Sequence, residues 1–319
     1  MKILITGSSG YVGNFLAEHL AWLGHAVIAC DLRPPPRPAA SRNISFRRLD
    51  VTDALGILEV FLSEKPDCVI HLAYLMEPQH DAAFEERVDY GGSMNIFEAA
   101  NACPTVRQLL TFSSTSAYGA HADNPDFISE TAPLRPNDYV YGIHKRRVEE
   151  AWLAADRRDD LKIVIFRMCT AVGPSYFKPG GLVSGLAKSP VMPLFGGMDT
   201  KTQWIHEDDV KVLTALVLRD VEITGIFNLV PEDYTRSRVM AQALGKRCLP
   251  VPLRLFRFAV SVLWFLRLSK AAPSMVRLAT YGIVASPKKL RDRYQYRFRF
   301  GSLGAFLDAV SKRRQNGTL

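Results

Sequence analysis

Lys2-Ile3-Leu4-Ile5-Thr6-Gly7-Ser8-Ser9-Gly10-Tyr11-Val12-Gly13 is the stretch whose reading decides the fold. Lys2 to Thr6 is a short apolar run suited to a strand. The glycines follow at once, and a helical apolar pattern from Asn14 to Leu23 stops at Gly24. Strand, glycine turn and helix in this order make a phosphate cradle. Glycine allows the tight turn and a close backbone approach to a pyrophosphate, and the helix N-terminus turns unpaired N–H groups toward the anion. A second strand, Ala26 to Cys30, ends at Asp31, 18 residues beyond Gly13, where a carboxylate can accept hydrogen bonds from adenosine ribose hydroxyls. The segment reads as a dinucleotide site built on Gly7, Gly10, Tyr11, Val12, Gly13, Asp31, Leu32 and Arg33. Asp31 favours NAD because a carboxylate repels a 2′-phosphate, while Arg33 keeps NADP open as the minor reading.

Outward from this unit, strand and helix keep alternating. Strands are expected at Ile44 to Leu49, Cys68 to Leu72, Gln108 to Ser113, Lys162 to Phe166 and Gly225 to Val230. Helices are expected at Ala54 to Leu62, about Phe84 to Asn101, Asp138 to Ala155 and Asp208 to Leu218. Pro34-Pro35-Pro36-Arg37-Pro38 reads as a rigid surface connection. The fold class is α/β, a doubly wound parallel sheet, and such sheets bind ligands beyond the C-terminal ends of their strands. Gly7, Asp31, Asp50, Ala73, Ser114 and Arg167 each follow an expected strand and so face that edge.

Tyr141-Gly142-Ile143-His144-Lys145 lies in a helix-compatible segment, and the i, i+4 spacing puts Tyr141 and Lys145 on one face. A phenol with a reference pKa of about 10 is a weak base at neutral pH until an adjacent cation stabilises its phenolate. Thr111-Phe112-Ser113-Ser114-Thr115-Ser116 ends an apolar strand in a hydroxyl cluster, from which Ser114 can donate to a substrate oxygen.

With these motifs in this order, the chain from Met1 to about Leu229 resembles the extended short-chain dehydrogenase/reductases, the NAD-dependent epimerase/dehydratase family. Its opening is similar to that of UDP-galactose 4-epimerases. Asp50-Val51 resembles the family's adenine-contacting pair, and His71-Leu72-Ala73 its cofactor-lining segment. Gly92 to Ala100 resembles its helix behind the active site, Gly173-Pro174 the end of its NVYGP run, Trp204 to Val210 its FVHVDDVA segment, and Asn228 the asparagine of its YNLG strand. The resemblance implies a Rossmann fold with a smaller C-terminal substrate-binding domain. Residues 1–175, with 200–230 returning to them, would form the first domain; 176–199 and 231–319, from near Phe177, would form most of the second. It implies Ser114, Tyr141 and Lys145 as catalytic residues. Ser114 would orient a hydroxyl, Tyr141 would remove its proton, and Lys145 would tune Tyr141 and hold ribose. Val51, Leu72, Ala73, Tyr74, Asp89 and Cys169 join the cofactor contacts, and Ser114, Ser116 and Thr170 the substrate contacts. The family usually has asparagine where this chain has Asp89 and Thr170. The Thr170 departure weakens a nucleotide-sugar diphosphate contact.

Composition narrows the rest. In 319 residues, 48% hydrophobic and 23% charged, a large folded core is possible and neither disorder nor a multi-span membrane protein fits. Five scattered cysteines without CxxC spacing indicate a reducing compartment, and the start leaves no room for a signal sequence, so the expected location is cytoplasmic. No HxxxH or HExxH occurs, and no metal is expected. The net charge of +8 is uneven. From Pro250 to Leu319 there are 14 Lys and Arg against Asp292 and Asp308, a net +12, which leaves −4 on residues 1–249. Such a segment suits a phosphate-bearing substrate, an anionic membrane surface or an ordinary solvated basic face, and nucleic acid is not expected. Within it, Phe258 to Leu266 carries no charge and is flanked by Arg254, Arg257, Arg267 and Lys270. Three readings stay open for this run: ordinary core, the lining of an apolar pocket, or an interfacial helix.

The leading expectation is an NAD-dependent epimerase or dehydratase-type oxidoreductase that takes a nucleotide sugar through a transient keto intermediate and works as a homodimer. The alternatives are an NAD(P)-dependent dehydrogenase of an apolar alcohol such as a sterol, and a non-catalytic dinucleotide-binding sensor.

Overall fold

Strands whose side chains are apolar on both faces belong inside a covered parallel sheet, and the first strands of this chain have that character. The computed structural model describes residues 1–35, 41–175 and 181–317. The run from Pro36 and the residue Phe177 lie outside them. Seven strands, β1 (Lys2–Thr6), β2 (Ala26–Asp31), β3 (Ile44–Arg48), β4 (Cys68–His71), β5 (Gln108–Ser114), β6 (Lys162–Met168) and β7 (Gly225–Leu229), form one sheet in the order β7-β6-β5-β4-β1-β2-β3. The pairings of β1 with β2 and β4, of β2 with β3, and of β4 with β5 are parallel, with Ile3 opposite both Val27 and Cys68. The strand order turns back at β1, next to β4, and this reversal opens a crevice at their C-terminal ends.

The connecting helices include α1 (Tyr11–Trp22), α2 (Ala54–Glu64), α3 (Gly92–Ala102), α4 (Val140–Ala154) and α5 (Glu207–Arg219). The expected helix from Phe84 to Asn101 is present, and the helical backbone runs from Ala82 to Ala102 through a π-type segment. Ala82–Glu86 and α3 are joined by a wide π-type turn over Arg87–Gly91. Such turns carry i→i+5 bonds and collect at functional sites. Here the turn holds Asp89, a carboxylate fully removed from solvent.

The chain divides into two compact units. The first comprises Met1–Ser113, His144–Arg167 and Lys211–Phe227; the second comprises Ser114–Ile143, Met168–Val210 and Asn228–Leu319. Leu4, Ile28, Phe61, Ile96, Trp152 and Ile163 pack the core of the first. Val172, Met192, Trp204, Met240 and Phe306 pack that of the second. These units are cut differently from the expected domains, because Ser114–Ile143 is tied into the second. Ile128 N–H donates to Val284 O at 2.8 Å, Ser286 N–H to Ile128 O at 2.9 Å, and Tyr118 Oη to Asn228 Oδ1 at 2.8 Å. Asn228 Nδ2 also donates to Ile128 O and Ser286 O, so the asparagine singled out in the sequence serves as a lock.

The second unit also contains α6 (Leu253–Phe265). The ordinary-core reading of its apolar run does not hold, since only Val260 in it is buried. Among the described residues no helix is long and apolar enough to cross a membrane.

Candidate active site

The glycine loop leaves β1 through Gly7, whose φ of +68° is favourable only without a side chain. A Cβ there would meet Ala73 N and Leu72 C at 2.7 Å, and one on Gly13 would meet Gly7 O at 2.3 Å. The backbone of the loop is therefore pressed against the end of β4 and against the first turn of α1. Gly10 caps α1 without a side-chain hydrogen bond, and the buried Ser8 Oγ has no partner among the described residues. The first-turn N–H groups and one orphaned hydroxyl are what an anion needs. Asp31, at the end of β2, accepts from Ser9 N at 3.0 Å and Arg33 N at 3.3 Å, which fixes its carboxylate beside the loop. Thr6 Oγ1 lies 2.8 Å from His71 Nδ1 and accepts from Leu72 N and Ala73 N, so the β4 end is pinned to the β1 end. Asp50 accepts from Thr52 N and Oγ1, and the buried Val51 offers its carbonyl to Asn95 Nδ2 at 3.0 Å. Tyr11 and Val12 are half-buried in the first turn of α1, and Leu32 is exposed. These residues fit a dinucleotide, and a pyrophosphate would sit on the uncapped turn.

Also in the first unit, Lys145 is buried. Its Nζ donates to Phe112 O at 2.5 Å and stands 3.0 Å from the centre of the Tyr74 ring. Burial pulls its pKa down to about 7, against which the charges of Asp89 and then Glu149 push it up. Asp89 is held from two sides, its Oδ1 accepting from Leu75 N at 2.9 Å and its Oδ2 lying 3.2 Å from His144 Nδ1. Sequence spacing pairs no histidine with a carboxylate, yet the fold brings His144 to Asp89 across 55 positions. With Glu85 they form a buried group whose ligand-type atoms lie within 4.8 Å of one another. Glu85 Oε2 accepts from Gln79 N, and burial raises its pKa.

Glu149, one turn beyond Lys145, makes a buried pair with Arg167, whose Nε and Nη2 donate at 2.9 and 2.7 Å, and it also accepts from Ser113 Oγ. Arg167 is thus an internal anchor, not a group at the ligand edge. His71 contacts Ser93 Oγ at 3.0 Å, and Ser93 Oγ donates to Asp89 O and lies 3.0 Å from Tyr74 Oη, so Tyr74 is placed by a chain starting at Thr6. Burial, and then the charge of Lys145, lower the His71 pKa to about 3, so this ring stays neutral. His144, Glu149 and the role of Tyr74 escape sequence reasoning. The i, i+4 step from Lys145 to Glu149 is a sequence signal that could have pointed to Glu149.

In the second unit, Ser114 caps the short turn Thr115–Tyr118. Its Oγ accepts from Ser116 N at 3.1 Å and Ser116 Oγ at 2.9 Å. With both lone pairs engaged, its own proton is the one to be donated. A Cβ on Gly142 would come within 2.8 Å of Ser116 O, so the start of α4 lies directly on the serine turn. Tyr141 is half-buried beside Tyr139, with ring centres 5.7 Å apart. α4 begins in the second unit and continues in the first, carrying Tyr141 and Lys145 one turn apart. Cys169 is buried and donates its N–H to Leu229 O at 3.4 Å, while Thr170 is exposed in a strand paired with Trp204–His206. Both belong to the second unit.

Residues 3–229 match the NAD dependent epimerase/dehydratase family, and the chain belongs to it. A UDP-glucose 4-epimerase of Lactobacillus helveticus is 29% identical over 279 residues, covering 79% of this chain and 83% of that one. An uncharacterised Mycobacterium tuberculosis protein is 26% identical over 321 residues, covering 96% and 82%. Among solved structures, the Thermus thermophilus UDP-glucose 4-epimerase in complex with NAD superposes with a TM-score of 0.78 at 23% identity, covering 98% of this chain and 99% of that one. The Bordetella bronchiseptica enzyme WbmG in complex with NAD gives 0.79 at 21%, covering 100% and 95%. At these identities the two structures share the fold.

Proposed function

We propose that the protein is an NAD-dependent epimerase or dehydratase-type enzyme acting on a nucleotide sugar. The observation that carries the proposal is α4, which presents a phenol and a buried amine one turn apart while Gly142 sits against the Ser114–Ser116 turn. Ser114 donates to the sugar hydroxyl and orients it. Tyr141 takes that hydroxyl's proton and later returns it. Lys145, in its protonated form, stabilises the Tyr141 phenolate and offers donors to a ribose. The uncapped turn of α1 receives the pyrophosphate, and Asp31 the adenosine ribose, which favours NAD over NADP. NAD, held by these residues, would supply the hydride-transfer chemistry that a transient oxidation of the carbinol requires. The names of relatives that act on UDP-glucose, and of a probable dTDP-glucose 4,6-dehydratase of Sinorhizobium fredii, support a nucleotide sugar as the substrate class.

The test is to incubate the purified protein with a panel of UDP- and dTDP-hexoses and to follow sugar stereochemistry by NMR and reduced nicotinamide by absorbance. Conversion of a sugar nucleotide without accumulation of NADH is the expected result. Stoichiometric NADH formation from a simple alcohol, with every sugar nucleotide left unchanged, would replace this reading with that of a dehydrogenase.

A further inference from the structure

We propose that α6 is a membrane-docking element that lies in the surface of an anionic bilayer. Leu255, Phe258, Val262, Phe265 and Leu266 recur at three- and four-residue steps and so share one face of the helix. All five are exposed, Phe258 at 67% and Phe265 at 83%. A helix lying on its own protein in water turns its polar stripe outward. This one buries Val260 and faces outward with phenylalanine, leucine and valine. An apolar surface of that kind marks an interaction site.

The end of the helix extends the same surface. Arg267 adopts φ of +57°, Arg267 N–H closes on Trp264 O at 2.9 Å and Leu268 N–H on Leu263 O at 2.8 Å. This pair of bonds is a Schellman closure. It stops the helix firmly and leaves Leu268 exposed at 72%, beside Arg267 and Lys270.

Charge identifies the occupant. From Tyr234 to Arg291 the chain contains no aspartate or glutamate, and Arg254, Arg257, Arg267 and Lys270 are all exposed at the two ends of the apolar face. Two copies of this surface would bring like charges together. An anionic bilayer matches both of its parts, since lipid phosphates meet the arginines and lysine while acyl chains receive the phenylalanines and leucines. A helix of 13 residues spans about 20 Å, short of the ~30 Å hydrocarbon core, so it lies in the plane of the interface and does not cross it. Nothing in this inference depends on which reaction the enzyme catalyses.

The experiment is flotation of the full-length protein with vesicles of phosphatidylcholine alone and of phosphatidylcholine with phosphatidylglycerol. Binding to the anionic vesicles should exceed binding to the neutral ones by roughly tenfold at about 0.1 M salt, and fall by a similar factor at about 0.5 M. The F258E/F265E double variant should lose the binding, yet keep its thermal unfolding midpoint and its NAD affinity, because both side chains stand in solvent. Light scattering across protein concentrations examines the alternative occupant. Absence of lipid binding by the wild type at low salt, unchanged binding in the double variant, or self-association that the double variant abolishes would each overturn the proposal.

Discussion

Single residues set the tolerance of this protein at two kinds of position, those where backbone meets backbone and those where charge is buried. Gly13→Ala puts a methyl group 2.3 Å from the Gly7 carbonyl, an atom that cannot swing away. We expect NAD affinity by calorimetry to fall at least about tenfold, roughly 1.4 kcal/mol. Glu149→Ala removes the carboxylate that pairs with the buried Arg167 guanidinium, and a loss of about 3–5 kcal/mol in urea unfolding should follow. At this scale the sequence was informative where a residue's role is local. The positions of Gly7 and Gly13 in the loop after β1, of Asp31 at the end of β2, and of Tyr141 and Lys145 one turn apart on α4 follow from local spacing. The pairings of Glu149 and His144 do not, since their partners, Arg167 and Asp89, are brought to them by tertiary packing.

Elements show the same division between local and tertiary causes. The seven strands were legible as apolar runs bounded by glycine and acidic residues, and their ends shifted by one or two positions at most. The π-type widening at Arg87–Gly91 was not legible, because nothing in its apolar periodicity departs from an ordinary helix. Its stabilising contacts are those of Asp89 with Leu75 N–H and His144. The face of α6 was undecidable from sequence, as a run apolar all round suits a core, a pocket or a lipid surface equally. In the proposed chemistry α4 matters most, and its seat on the serine turn is tight. Gly142→Ala should push Tyr141 away from Ser114, lowering kcat by at least about tenfold (1.4 kcal/mol) while NAD binding is unchanged. An equal loss of NAD affinity would show instead that the helix does more than position the phenol.

At the scale of the whole molecule, the division into units follows hydrogen bonds that sequence reading cannot see. Residues 114–143 run on directly from β5 but are fastened to Asn228, Val284 and Ser286. The uneven charge was legible, being a property of composition alone. Global stability should carry the imprint of two buried groups. The Lys145 pKa is lowered from 10.5 to about 7, so between those values the unfolded chain binds the extra proton and stability rises with pH. The His71 pKa is lowered from 6.5 to about 3, so stability is lost as pH falls through that window. Urea unfolding at a series of pH values should show both slopes, with the alkaline one flattened in Lys145→Met and the acid one in His71→Asn.

The central claim is that a tyrosine and a lysine on one helix turn perform the proton work of an NAD enzyme. Its most direct test compares wild type with Tyr141→Phe, using native mass spectrometry for NAD occupancy and NMR for sugar-nucleotide turnover. The account predicts one NAD per chain in both proteins and a rate lower by about 10²–10⁴ in the variant. Undiminished turnover in Tyr141→Phe, or failure of the wild type to bind either NAD or NADP, would contradict it.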